Sequence, residues 1–268
     1  MINKTLRNAA SKCQRADTAE LSMINKTLRN AANAALSFLF PEVCINCGRV
    51  LVERDNCGKR TRELQICTSC LCKLPVRVEN ERWFPCLSEP YEEDPIPDFS
   101  VWALFHYEMP VTLLVKRLKF FSEIYCGQLL ADLMGREFPK NTPVKWDAVV
   151  PVPLSEKRLR KRGYNQAEVL AKGISNHLRI PLCNNVIRKV RHTNQQSRYK
   201  EPEERRKNVE GAYAIEESWD ITGWNILLVD DILTTGSTLH EAAKVLFENG
   251  AATVVGVVCA THRENIES

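Results

Sequence analysis

The stretch running from Asn225 to Leu239, Asn-Ile-Leu-Leu-Val-Asp-Asp-Ile-Leu-Thr-Thr-Gly-Ser-Thr-Leu, constrains this chain more than any other. Ile226 to Val229 is a short apolar, partly β-branched run of the kind a buried parallel strand needs. Two carboxylates, Asp230 and Asp231, are expected at its carboxyl end. Thr234, Thr235, Gly236, Ser237 and Thr238 then crowd hydroxyls around one glycine where a helix is expected to begin. Leu239, Ala242, Ala243 and Leu246 follow at helical spacing, and Gly250 is placed as the residue just past the helix end. Strand, small polar loop and helix together favour an anion. Free backbone N–H groups and the positive helix terminus converge on one spot, and glycine permits close backbone approach. The Gly-Lys-Ser/Thr ending of a Walker loop is missing. A plain strand-ending turn also uses Ser, Thr and Gly, but it does not call for two acids directly ahead.

Val229 to Thr238 resembles the phosphoribosyl-pyrophosphate (PRPP) motif of type I phosphoribosyltransferases, without a gap. Carboxylates just ahead of such a loop suit sugar hydroxyls or magnesium, and the resemblance implies that Asp230 and Asp231 bind ribose hydroxyls. It also implies that Thr234, Thr235, Gly236, Ser237 and Thr238 cradle the 5′-phosphate, with Mg²⁺ accompanying PRPP.

A second constraint lies upstream. Cys44-x-x-Cys47 and Cys67-x-x-Cys70 are separated by residues 48–66, a span within the window of a paired zinc site. Four thiolates complete a closed tetrahedral shell, and Gly48 suits the tight turn after the first pair. So small a module has little core, and metal binding would supply much of its folding energy. Redox chemistry is the rival, but it wants a thioredoxin-like context that is not evident. Among the 11 cysteines, Cys57, Cys72 and Cys86 lack a CxxC partner, and Cys13, Cys126, Cys183 and Cys259 read as unpaired thiols.

Net charge, +4 from 37 basic and 33 acidic residues, is too mild to demand a nucleic-acid partner. No apolar run reaches the roughly 20 residues of a membrane span, and no secretory signal is apparent, so a cytoplasmic protein is expected. Residues 1–10 recur identically at 23–32. Residues 1–22 are read as a local duplication or a mis-assigned start, with Met23 the functional beginning. Ile24, Leu28, Ala31, Ala35 and Leu39 share one helical face, suited to packing on the next module or to a membrane surface.

Further along, residues 79–99 read as an acidic, proline-rich linker or surface loop. A strand is expected over 101–107, a helix on Val111, Leu114, Val115 and Leu118, and another helix from about 123 to 138. Residues 146–153 form a second core strand, ended by prolines. A basic loop follows, with Lys157, Arg158, Arg160, Lys161 and Arg162 placed where α/β sheets bind ligands. Pyrophosphate, a DNA backbone or solvation each explains that charge, with Arg158, Lys161 and Arg162 as the candidate contacts. Asn165 and Glu168 form a plausible capping box for the next helix. A strand is expected over 185–190, then a long polar segment over 191–208 of the length that functional loops have. Extended structure resumes at 209–215, and 252–260 supplies a last buried strand.

These pieces resemble the ComF family (competence protein F, also called amidophosphoribosyltransferase-like or GntX). Phe40-Pro41, the two CxxC pairs, Val150-Pro-Val-Pro153 and Arg162-Gly-Tyr-Asn-Gln166 carry the resemblance, with Arg191-x-Thr193, Gln196, Arg205, Asn208, Gly211-Ala-Tyr213 and the motif at Asp230. It implies an α/β protein: a type I phosphoribosyltransferase-like parallel sheet flanked by helices, over residues 100–268. An N-terminal extension would occupy 1–40 and a Cys-rich zinc module 41–90, a second zinc being doubtful because only Cys86 remains of a second cluster. It further implies a role in natural transformation, handling imported single-stranded DNA with competence-machinery partners. Two functions stay open. One is a magnesium-dependent phosphoribosyltransferase of unknown acceptor, with 191–208 as a lid. The other is a DNA-uptake factor that keeps the phosphosugar pocket, contacts DNA through basic segments at 157–162 and 188–207, and stacks bases on Tyr164 and Tyr199.

Overall fold

A computed structural model describes residues 41–51, 65–85, 99–191 and 208–262. The duplicated segment, Tyr199 and most of the 191–208 loop lie outside them, as do Cys13, Cys57 and Cys86. The chain divides into two compact units, Met1–Cys67 and Thr68–Ser268.

In the first unit the chain folds back at Gly48, whose φ of +71° suits a residue without a Cβ. Cys44 N–H donates to the Arg49 carbonyl and Gly48 N–H to the Cys44 carbonyl, at 2.7 and 2.8 Å. Val43 and Val50 close this knuckle through an antiparallel bridge.

The second unit opens with the helical turn α1 (Thr68–Leu71) and is built on a five-stranded sheet. Its strands are β1 (Trp83–Pro85), β2 (Ser100–His106), β3 (Ala148–Pro151), β6 (Asn225–Leu233) and β7 (Thr253–Thr261), in the order β1-β2-β7-β6-β3. Only β1 runs antiparallel. A separate antiparallel hairpin pairs β4 (Ile187–Lys189) with β5 (Tyr213–Ile215). The helices are α2 (Val111–Phe120), α3 (Ile124–Glu137), α4 (Glu156–Arg162), α5 (Gln166–Leu178) and α6 (Ser237–Glu248). Buried aliphatics on both sheet faces explain the unbroken apolar runs of β6 and β7.

Val111, Leu114, Val115 and Leu118 are buried on α2, as their spacing predicted. Helices α3 and α5 approach closely enough that a Cβ on Gly173 would come within 2.4 Å of the Ala131 Cβ. Helix α6 ends as expected. Gly250 has φ +91°, its N–H bonds the Phe247 carbonyl, and Ala251 N–H bonds the Leu246 carbonyl, which is the paired closure of a Schellman motif.

Four local expectations are corrected. The stretch read as a linker or surface loop over 79–99 begins with a helical turn at Glu79–Glu81 and then supplies β1, because Trp83–Pro85 pair with Ser100–Trp102 and Phe84 is buried in the core. The charged run at 157–162 is helix α4 rather than a loop, ended by Gly163 in the left-handed region. Asn165 does cap α5 by accepting from Ala167 N–H at 3.1 Å, but Glu168 accepts from the Asn184 amide instead of reaching back to complete a box. The strand carrying the acids does not stop at Val229, since β6 stays paired with β7 as far as Leu233 opposite Thr261.

Candidate functional site

The carboxyl ends of β3 and β6 border a cavity of about 630 Å³. Asp230, Asp231, Ile232, Thr234 and Thr238 contribute its β6–α6 side, and Arg158, Lys161, Arg162 and Gln166 come from α4 and the start of α5. Of the expected residues, Thr235, Gly236 and Ser237 do not line it. They shape the loop instead: Gly236 has φ +88° at the start of α6, and the Thr235 and Ser237 hydroxyls meet at 2.9 Å. Glycine is needed here because a side chain at that φ is strained.

Other walls come from elements that local sequence does not link to the motif. Lys116, Lys119 and Phe120 belong to α2, Lys189 to β4 and Tyr213 to β5. Tyr164, expected to stack bases, lies elsewhere, and its hydroxyl donates to the Leu118 carbonyl.

Both acids line the cavity, but they have different partners. Asp231 is buried at 5% exposure. Its Oδ1 accepts from the Lys119 ammonium at 2.8 Å, while its Oδ2 is buried with no hydrogen-bond partner. Asp230 Oδ1 accepts the backbone N–H of Asp231 at 2.8 Å. Burial, then the neighbouring Asp231 charge, pushes the Asp230 carboxyl up to about 7. Burial works against the Lys119 charge, but Asp231 and Asp230 more than offset it, so that ammonium is held above its ordinary value. Lys189 lies over the Tyr213 ring, 4.8 Å from its centroid, and burial followed by repulsion from Arg158 lowers it to about 8. The site thus has an acidic floor and a cationic rim, the polarity that a sugar bearing phosphates would match.

Magnesium between the two carboxylates does not fit these oxygens. Asp231 Oδ1 is engaged by Lys119, Asp230 Oδ1 by a backbone N–H, and Asp231 Oδ2 is buried, so Asp230 Oδ2 is the one oxygen of the four left open by the described residues. Mg²⁺ held between the acids wants an oxygen from each and keeps several waters in an octahedral shell.

The four expected metal ligands do come together. The sulfurs of Cys44, Cys47, Cys67 and Cys70 all lie within 4.8 Å of one another. Cys47 and Cys67 sulfurs are 3.7 Å apart, against about 3.8 Å for thiolates tetrahedrally placed on zinc at about 2.3 Å. Burial disfavours the Cys44 thiolate, yet the backbone N–H groups of Cys67, Cys47 and Asn46 bring it down to about 6. A ligand set of this kind fits a structural zinc ion. Cys72 is exposed and outside the cluster.

Residues 164–266 match the phosphoribosyl transferase domain family. Competence protein F of Haemophilus influenzae is 32% identical over 217 residues, 77% of this chain and 91% of that protein. The chain belongs to the competence protein F family. DNA utilization protein YhgH of Salmonella typhimurium is 30% identical over 82% of the chain and 90% of its own length, and competence protein ComFC of Bacillus subtilis is 31% identical over 57% and 60%. Among solved structures, an adenine phosphoribosyltransferase from Leishmania tarentolae covers 68% of the chain and 69% of its own, at 14% identity and a TM-score of 0.33. At that score the superposition adds nothing to the family match. No helix among the described residues is long and apolar enough to cross a membrane.

Proposed function

We propose that this chain acts in DNA uptake as its relatives' names suggest, and that its phosphoribosyltransferase-like domain binds PRPP or a related 5′-phosphosugar as it does so. The observation that carries the reading is the convergence in one cavity of the acid pair, two threonines flanking the helix-initiating glycine, and the α4 cations. In this reading Asp230 and Asp231 receive ribose hydroxyls. The loop at 234–238 and the N-terminus of α6 hold the 5′-phosphate, and Arg158, Lys161 and Arg162 meet pyrophosphate or a nucleic-acid backbone. Magnesium enters as the counter-ion of pyrophosphate, not as a ligand of the acid pair. Residues 1–40, 41–90 and 100–268 would be the extension, the zinc module and the phosphosugar domain.

A catalytic reading has one observation in its favour. Phe120, 65% exposed, lines the same cavity as the acids and offers a planar surface to an acceptor ring.

Calorimetry with PRPP, ribose 5-phosphate and inorganic phosphate tests the phosphosugar reading. Asp230→Ala with Asp231→Ala should abolish discrimination for the sugar while leaving phosphate affinity partly intact. Absence of binding by all three ligands at millimolar concentration would leave the loop a structural turn. Transformation frequency of a deletion strain, complemented with the intact or the doubly substituted chain, tests the cellular role.

A further inference from the structure

We infer that Lys119 is the resident counter-cation of the acid pair, so that the ribose end of this site binds its ligand without a divalent ion. The inference rests on the phosphosugar reading above and adds to it a residue outside the motif.

Three features of the site carry it. Lys119 reaches from α2 to place its ammonium 2.8 Å from Asp231 Oδ1, with the two side chains only 22% and 7% exposed. At that distance and degree of burial the pair is a charge-assisted hydrogen bond that solvent screens weakly. Asp230, half-buried, stands next to Asp231 in the same strand and lines the same cavity, so two carboxylates share one corner, and one ammonium halves their formal charge. Finally, Asp231 Oδ2 is buried and lacks any hydrogen-bond partner. A buried carboxylate oxygen left without a donor is costly, and a ligand hydroxyl would relieve it.

A hydroxyl suits that oxygen better than a metal does. It brings one donor, carries no charge and sheds little water, whereas Mg²⁺ must exchange tightly held waters for ligands on several sides. Lys119 supplies in advance the positive charge that a metal would otherwise bring. Its hydrogen bond also fixes the carboxylate plane, so Oδ2 keeps one direction for the incoming sugar. Lys119 is therefore a positioning residue that acts on the ligand through Asp231.

Ribose 5-phosphate is the probe, because it lacks the pyrophosphate that would recruit Mg²⁺ on its own account. Calorimetry on the full chain should give affinities within about twofold in Mg²⁺ and in EDTA. Lys119→Met should weaken binding in EDTA by about tenfold or more, as loss of a charge-assisted contact does, and Mg²⁺ should restore part of it. Lys119→Arg should bind nearly as the parent does. Circular dichroism reports whether each variant folds, and if Lys119→Met does not, the parent with and without Mg²⁺ decides alone. A tenfold or greater gain on adding Mg²⁺ to the parent overturns the inference and leaves the phosphosugar reading standing. So does parent-like affinity of a folded Lys119→Met in EDTA. Failure of ribose 5-phosphate to bind under either condition removes both together.

Discussion

Sulfate should lose affinity for the cavity as pH rises through 8, and Lys189→Met should remove that loss. Lys189 lines the cavity and is lowered to about 8 by burial first and then by Arg158. An ammonium titrating there is about nine-tenths charged at pH 7 and about one-tenth charged at pH 9. An anion that depends on its charge therefore weakens by up to about tenfold across that interval, or about 1.4 kcal/mol. Sulfate is the suitable probe because its own charge is constant over the range, and ionic strength must be fixed so that screening does not vary. Asp230, raised to about 7, ionises within the same titration and adds an earlier fall, so the diagnostic is the step that the Lys189 substitution deletes. Stability of the free protein should move in the opposite direction. A lysine whose folded value lies below its unfolded value imposes a penalty that is fully present below pH 8 and is relieved as pH rises toward about 10.4. Falling anion affinity alongside a rising contribution to stability separates site titration from alkaline unfolding. Sulfate affinity that is flat from pH 7 to 9, or an unchanged pH profile in Lys189→Met, would refute the placement of this ammonium in the anion site.

The purified chain should carry about one zinc ion, and Cys70→Ser or prolonged chelation should lower both metal content and thermal stability; a zinc-free protein that melts like the parent would sink the structural site. Gly236→Val should weaken both phosphate and ribose 5-phosphate by tenfold or more, because a β-branched residue at φ +88° must reshape the loop at the start of α6. Parent-like affinities in that variant would show that the loop is not the phosphate cradle. A chain beginning at Met23 should match the full chain in melting temperature and in ligand affinity, and a clear loss in either would show that the duplicated segment matters.

Much of the site was legible because its chemistry is local. The acid pair, the hydroxyl-rich loop and the start of α6 occupy one short stretch, and the spacing of the two CxxC pairs foretold the four-sulfur cluster. What stayed hidden is what topology delivers. Lys119 and Lys189 are ordinary basic residues on amphipathic elements, and nothing in their neighbours points toward Asp230 or Asp231. They reach the cavity because α2 and the β4–β5 hairpin are folded against the end of β6. Helix α4 was hidden for a different reason. A run of five cations has no apolar period to reveal it, and its helical turn is closed by Gly163 rather than by burial. The length of β6 was misjudged because acids are poor strand residues, and only pairing with β7 on the far side keeps them extended.

That one-sided pairing has a consequence for how the site exists at all. Strand β3 accompanies β6 only through Pro151 opposite Val229, with a last bond from Val152 N–H to the Val229 carbonyl. Beyond it β7 still follows β6 for four residues, to Leu233. The cavity is therefore a place where the sheet has been left unzipped along one edge. The next donor on that edge, Asp231 N–H, is stoppered by the carboxylate of the residue before it. The Val152 carbonyl that would meet it is already taken by the Asn165 side-chain amide at 3.0 Å, so β3 does not close the seam. Variation that freed the Val152 carbonyl and lengthened β3 would seal the pocket without altering any residue on its acidic floor, so the Asn165 amide guards an opening as surely as the aspartates furnish it.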